Sequence, residues 1–566
     1  MAETLHSHPL FKIRAELLPN EERVALSYKR AKVVMRSFPL SASDVQHCTP
    51  RFWALMRHPI MSFDIAMYTI LTIHVNLVIG TLSRHMDKRP EFKRLVDSLL
   101  QFETLGIYQL SERAHGVDSF NVETTATMTN RGYIFHTPRE EAEKFVPAST
   151  SGFGVPKVSL VNALLIVNGK NLGARFFVVP ICNEREMYTG VTSTRLPPRP
   201  GTSPLDWALT RFTNVHLPFS ALVASDPFDL SLPPNPREAW WNELWRIQYG
   251  TMCVAAPFIS GLKTSAYITG QYSLHRTVTG PAKKPLPIIS FRTQQLPVAE
   301  AAAAGLVYEE FFTIAVELAF CGTSDPRVRH ALIAITKATI VRHVQRCLAG
   351  LAERLGAQGT LEQNYIPRLE NDTKGVVIAE GDLVPLCSKV FTELLQGQYR
   401  VPIPTPEESL LARHASSRLA ECTEALSQAG GTRSADFTSV ILPQAQPVIE
   451  AIGHAIAYAA AVKANLPKPI LDIYESSIIG QDPAWYSEHG MPRTAQRIRE
   501  DKAVSSFIPE LPKFLSALKI ENYVAAPVVS DARWKAYLSL LIVYSGHASP
   551  SELVSCSTIP ETMARM

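Results

Sequence analysis

The chain has 566 residues, 46% of them hydrophobic and 19% charged, which is enough for three or four domains with several buried cores. Its 56 basic and 52 acidic side chains leave a formal net charge of +4, and no Lys/Arg run or zinc-finger spacing accompanies it, so nothing supports a nucleic-acid partner. The cysteines (Cys48, Cys182, Cys253, Cys321, Cys347, Cys387, Cys422 and Cys556) form no Cys-x-x-Cys pair, which argues against a zinc site or a disulfide framework and for free thiols in a reducing compartment.

The start, Met1-Ala2-Glu3-Thr4-Leu5-His6, lacks the basic and apolar regions of a signal peptide. Helical patterning follows, opening at Asn20-Glu21-Glu22-Arg23 and continuing through Pro50 to Leu82 and Pro90 to Leu100. The apolar run from Ile65 to Leu82 has the length of a membrane span, but it carries His74 and Asn76 and reads better as a buried helix, with no transmembrane segment. From Gly106 the pattern changes to short β-rich runs (123–129, 158–167, 174–181 and 211–217), and Asn168-Gly169 between two apolar runs signals a hairpin. Beyond the Leu232-Pro233-Pro234-Asn235-Pro236 linker, helical spacing returns over 240–276, 298–320, 327–355 and 383–398, the pattern of a bundle. The second proline-rich linker, 401–406, leads to a last helical region that contains 451–464. The predicted class is therefore α+β, with a helical domain (1–104), a β domain (105–232), a helical bundle (237–400) and a C-terminal helical domain (407–566).

The segment most suggestive of chemistry is Ile378-Ala379-Glu380-Gly381-Asp382, a carboxylate beside a glycine on an apolar stretch. Alone it reads as a solvated turn whose acids complement the next helix. Its company changes that reading. Gly356-Ala357-Gln358-Gly359-Thr360 lies upstream and Pro367 between. Far from them stand Glu112, His115-Gly116, Glu123-Thr124-Thr125-Ala126-Thr127, Thr137-Pro138, Lys144 and Pro147. Phe212-Thr213-Asn214-Val215-His216-Leu217-Pro218, Arg276, Gly280 and Phe291-Arg292-Thr293-Gln294-Gln295 follow in order. Over roughly residues 100 to 400 this series resembles the flavin-dependent acyl-CoA oxidases, matching their Gly-Gly-His-Gly-Tyr turn, Glu-Gly segment, Glu-Thr-Thr-Ala-Thr run and Tyr-Gln-Thr-Gln-Gln run.

The resemblance implies FAD as cofactor, an acyl-CoA substrate, molecular oxygen as acceptor, a homodimer, and Glu380 as the base that removes the α-proton. It also implies that the backbone N–H of Glu380 holds the thioester oxygen. Ser111 stands where the family has a threonine against the isoalloxazine, and Ser149 replaces one of two glycines near the ring, Ala148 the other. Arg276 matches an arginine that reaches the FAD pyrophosphate of the neighbouring subunit, with Gln294 and Gln295 toward the adenine half and Asp382 among the cofactor-side positions. Departures at Ala148-Ser149, Val278-Thr279, Gln358 and Thr360 keep two alternatives open. One is a desaturase of a polyketide-like or branched acyl thioester, the other a flavin-free relative acting as a binding partner. A dehydrogenase that passes electrons to another flavoprotein is a third. The tail Ala564-Arg565-Met566 fits the small-basic-aliphatic pattern of peroxisomal signals. His115 has no companion at metal-ligand spacing and reads as a turn residue, so no metal site is predicted. Trp240, Trp241 and Trp245 read as core aromatics.

Overall fold

A computed structural model describes residues 2–547 except 117, 229, 231–233 and 324. Cys556, the tail 564–566 and part of the first linker lie outside the described residues. Helices come first: α1 (Asn20–Ser37), α2 (Ile65–Ser83) and α3 (Pro90–Leu100), with shorter turns between. Proline at the first helical position opens Pro50–Met56 and Pro90–Leu100, where its missing N–H costs nothing. The α2 run is long and apolar enough to span a bilayer, yet 89% of its most apolar stretch is buried inside the protein.

Within α2 the hydrogen-bond ladder widens to a π-helix over Thr72–Ile79, a feature that often marks functional sites. Its His74 joins the helical region to the first strand: Nε2 bonds Leu99 O at 2.9 Å and Nδ1 accepts the Gly106 N–H at 2.9 Å. Those two bonds fix the neutral Nε2–H tautomer, and burial pulls the imidazole down to about 4. Gly106 is needed there, because a Cβ would stand 2.6 Å from Val78 Cγ1.

Nine strands follow: β1 (Leu105–Gln109), β2 (Thr125–Thr129), β3 (Gly132–His136), β4 (Lys144–Ala148), β5 (Lys157–Val167), β6 (Lys170–Cys182), β7 (Val191–Arg195), β8 (Trp207–Phe212) and β9 (Val215–Leu217). One sheet runs β1-β5-β2-β3-β9 with β6 also on β5, and the second runs β4-β8-β7. The Asn168-Gly169 signal is the β5–β6 hairpin, both residues at positive φ (49° and 74°) with Val167 opposite Lys170.

The bundle comprises α4 (Trp245–His275), α5 (Arg292–Phe320), α6 (Pro326–Arg354), α7 (Ile366–Ile378) and α8 (Leu383–Leu395). The run read as 240–276 divides at Leu244 into the short helix Pro236–Glu243 and α4. Helix α7, ahead of Glu380, is not visible in the sequence pattern. Four longer helices follow, α9 (Leu410–Gln428), α10 (Ala445–Lys463), α11 (Lys468–Ile479) and α12 (Arg493–Phe507). One continuous apolar core links these regions. Trp240 is buried and stacks on Phe176 at 5.3 Å, whereas Trp241 is 56% exposed. All seven described cysteines are free.

Candidate active site

Glu380 occupies the turn between α7 and α8 with φ 53°, a left-handed conformation that a side chain adopts only when its surroundings enforce it. The enforcement comes from the bundle. Lys337 of α6, fully buried, donates from Nζ to Ala379 O at 2.5 Å and to Gly381 O at 2.6 Å. The Thr251 hydroxyl of α4 lies 2.6 Å from Glu380 O and 2.9 Å from Ile247 O. Three successive carbonyls are thus held by side chains of two neighbouring helices. Gly381 carries φ 99°, which suits the residue that lets the chain turn into α8. Asp382 then caps α8 by accepting the Val384 N–H at 3.0 Å.

The Glu380 carboxyl points inward onto α4 at Gly250. A Cβ there would stand 2.6 Å from Glu380 Oε2 and 2.9 Å from Asn76 Nδ2. Asn76 belongs to the π-helical turn. Its Nδ2 donates to Arg246 O at 3.1 Å, and Arg246 Nε donates back to Asn76 O at 2.8 Å. Asn76 Oδ1 and Arg246 Nη2 are buried with no hydrogen-bond partner among the described residues. Burial pushes the Glu380 carboxyl up to about 8, against the opposing charges of Lys337 and Arg246. Burial likewise pulls the Lys337 ammonium down to about 7, against Glu380 and Asp382. Tyr108 of β1 is close enough for Glu380 to add to the upward shift that burial imposes on its phenol.

The other predicted residues fall into two groups. Ser111 and Ser149 lie on the Glu380 side, around β1 and β4. The Phe145 N–H donates to Ser111 O at 3.1 Å, and the neighbouring Glu112 is locked by Lys144 (3.0 Å) and by the N–H groups of Glu123 and Thr124. His115 bonds Glu123 Oε1 at 2.8 Å. Ser149 is fully buried, its hydroxyl 2.7 Å from Thr210 Oγ1 and 2.9 Å from Ser193 Oγ. The side chain that replaces glycine is therefore turned into the second sheet and leaves main chain toward the first.

That main chain is pinned on both sides, because Lys157 Nζ donates to Ala148 O at 2.8 Å while the Thr150 N–H donates to Asp206. Lys157 itself pairs with Asp206 at 2.8 Å, both side chains fully buried. Ala148, Val146 and Tyr108 line a small cleft with Gly106 and Leu205. With the Ser149 hydroxyl engaged by Thr210 and Ser193, the groups left along this cleft are mainly apolar side chains and main chain, a lining that suits a planar ring.

Arg276, Gln294 and Gln295 gather at the opposite end. Arg276 is exposed where α4 gives way to a hairpin of Thr277–Thr279 with Pro285–Pro287. Gln294 Nε2 donates to Ser273 Oγ and to Arg354 O, and Gln295 Nε2 to Ile289 O. Arg354 lies seventeen positions beyond Lys337 on α6, about 25 Å at 1.5 Å per residue. Lys337, Thr251, Gly250, Asn76 and Arg246 were not found by sequence reasoning. The available signals were a lysine inside an apolar helical run and a glycine in mid-helix. Elsewhere, Glu300, His343 and Cys347 bring ligand atoms within 4.8 Å of one another, but the ring nitrogens of His343 already face Tyr308 and Glu300.

No protein-family model matches the chain. Among curated proteins, it is 28% identical over 309 residues to the acyl-coenzyme A oxidase-like protein of Mus musculus, covering 51% of this chain and 48% of that one. It is 24% identical over 312 residues to peroxisomal acyl-coenzyme A oxidase 3 of Homo sapiens, covering 51% and 44%. The chain thus spans about half the length of the curated relatives it matches. Among solved structures, acyl-CoA oxidase 1 from Yarrowia lipolytica superposes with a TM-score of 0.80 at 16% identity, over 98% of this chain and 91% of that one. Acyl-CoA oxidase-1 of Caenorhabditis elegans, complexed with FAD and ATP, gives 0.76 at 14% identity over 98% and 92%.

Proposed function

We propose that this chain, which is related to the acyl-CoA oxidases in sequence and shares their α+β fold, is an FAD-dependent oxidoreductase that desaturates an acyl-CoA thioester between Cα and Cβ. The observation that carries the reading is Glu380: a carboxyl enforced in a left-handed turn, directed into the protein and raised to about 8 by burial. In the ionised form it removes the weakly acidic α-proton. The Glu380 N–H is the donor to the thioester oxygen, on which negative charge develops as that proton leaves. FAD held beside Ser111 and Ala148-Ser149 would supply the acceptor for the β-hydrogen as hydride and the route of the electron pair to oxygen, so the products would be the trans-2-enoyl thioester and hydrogen peroxide. Ser111 and the main chain at Ala148-Ser149 receive the flavin ring. Arg276, Gln294 and Gln295 hold the pyrophosphate and adenine half of the FAD bound by a second copy in a homodimer. Asp382 shapes the cofactor side of the turn through its cap. Relatives named as peroxisomal support a peroxisomal location.

The inward-turned Ser149 hydroxyl favours this reading over a flavin-free binding partner. The substrate's acyl branch, straight or polyketide-like, is separated by a panel of CoA esters. Mixing the FAD-loaded protein anaerobically with that panel is expected to bleach the flavin bands, which return with peroxide when air is admitted. Glu380→Gln is expected to retain FAD and lose bleaching. Bleaching by Glu380→Gln at the parent rate would remove Glu380 from the role of base.

A further inference from the structure

A peptide unit is planar and trans, so the direction of one carbonyl fixes the direction of the N–H that follows it. Ala379 O and the Glu380 N–H belong to one such plane. Lys337 Nζ holds Ala379 O at 2.5 Å, and it also holds Gly381 O, on the other side of Glu380, at 2.6 Å. The ammonium therefore straddles the residue and grips the turn from the carbonyl side. The Glu380 N–H must then point away from Lys337. A cation on a carbonyl oxygen also polarises its amide, which makes the N–H at the far end a stronger donor.

We infer that Lys337 is the positioning residue for the thioester oxygen: by binding Ala379 O and Gly381 O it aims and polarises the Glu380 N–H that receives the developing enolate charge. This rests on Glu380 being the base of an acyl-CoA desaturation.

Three features of the structure support it. Lys337 is fully buried, and both hydrogen-bond acceptors of its Nζ are main-chain carbonyls of the base turn. Burying an ammonium whose hydrogen bonds go to carbonyls rather than to a carboxylate is costly, so the interaction must be held by the surrounding fold. Lys337 sits on α6, which is also packed against α4 and α5, so the grip originates on a rigid element rather than in the loop. Thr251 grips the intervening carbonyl, Glu380 O, which sets the Gly381 N–H rather than that of Glu380. The two ties are thus distinguishable by mutation.

The test uses a 3-oxoacyl-CoA, which enolises in the site without oxidation and whose enolate has its own ultraviolet absorption. The pH at which half of the bound ester is enolate is measured with FAD-loaded and flavin-free protein, alongside FAD affinity and the bleaching rate with a saturated acyl-CoA. In the parent protein the bound ester is expected to be more acidic than the free one. Lys337→Met is expected to raise the midpoint by about one to two units, a 10- to 100-fold loss of enolate, with FAD affinity unchanged. Lys337→Gln, which keeps donors but no charge, is expected to fall between, and it carries the test if the methionine variant does not fold. Thr251→Val is expected to move the midpoint by less than about half a unit, under threefold in enolate.

A midpoint in Lys337→Met or Lys337→Gln equal to the parent's overturns the inference. So does an equal shift in Thr251→Val, which would mean general loosening of the turn. A parent protein that binds the ester without acidifying it overturns the reading of the site itself, and this inference with it.

Discussion

Glu380 and Gly250 make a matched pair: a carboxylate that must reach into a helix surface, and the missing Cβ that lets it do so. Gly250 has ordinary helical backbone, so alanine at this position gains about 1 kcal/mol of helix propensity. Its Cβ, however, would lie 2.6 Å from Glu380 Oε2. Gly250→Ala is therefore expected to leave the melting temperature within a few degrees of the parent and to cut the bleaching rate about 100-fold, the scale of a 1 Å misplacement of a reacting group. Parent-like bleaching would show that the carboxyl does not work from this position. The pH dependence follows from the same surroundings. Only ionised Glu380 accepts a proton, and burial holds its carboxyl at about 8, while the Lys337 ammonium that polarises its N–H is held at about 7, so the bleaching rate is expected to rise with pH, peak between about 7 and 8 and fall again above that. A stopped-flow profile that is flat across that range would contradict it.

Among the elements, those with local punctuation were legible in the sequence. The Asn168-Gly169 hairpin and the proline-initiated helices carry their signals in one or two residues. Glu380 stood out as a candidate through its order relative to distant motifs, whereas the residues that set its turn gave no such signal. Lys337 lies more than forty positions away, and a lysine in a helical run ordinarily extends its head to water; only the packing of α6 against the turn reverses that. The π-helical turn left no periodic signature, because the run 65–82 is apolar on every side. Ser149 was visible as a substitution, but its direction depends on Thr210 and Ser193 in another strand pair.

Close contact between elements gives a further test. Gly453 of α10 faces Thr339 of α6, where a Cβ would stand 1.8 Å from Thr339 Oγ1. Gly453→Ala is expected to destabilise by about 2 kcal/mol through overpacking. Adding Thr339→Ala in the same chain is expected to recover most of that in urea denaturation. Additive losses would mean that the two sites do not share the strain.

At the scale of the whole molecule, the predicted cofactor residues lie in two places, one beside the Glu380 turn and the β domain, the other at the far end of the bundle. Ser111, Ser149 and Glu380 flank β1 and β4, while Arg276 stands exposed near the far end of α6, about 25 Å along that helix from Lys337. A two-fold dimer that places the far end of one copy beside the Glu380 end of the other would complete each FAD site from two chains. Complementation tests this without depending on the affinity of the dimer alone. Glu380→Gln and Arg276→Glu are each expected to be inactive at limiting FAD, the first for want of a base and the second through repulsion of the pyrophosphate. In a mixed dimer, one site joins the intact Glu380 of the second variant to the intact Arg276 of the first, and the other site carries both defects. Random reassortment makes half of the dimers mixed, and half of their sites intact, so about a quarter of parental activity is expected to return after the two variants are unfolded and refolded together. If Arg276 instead served the FAD of its own chain, every site of the mixed dimer would keep one defect and no activity would return.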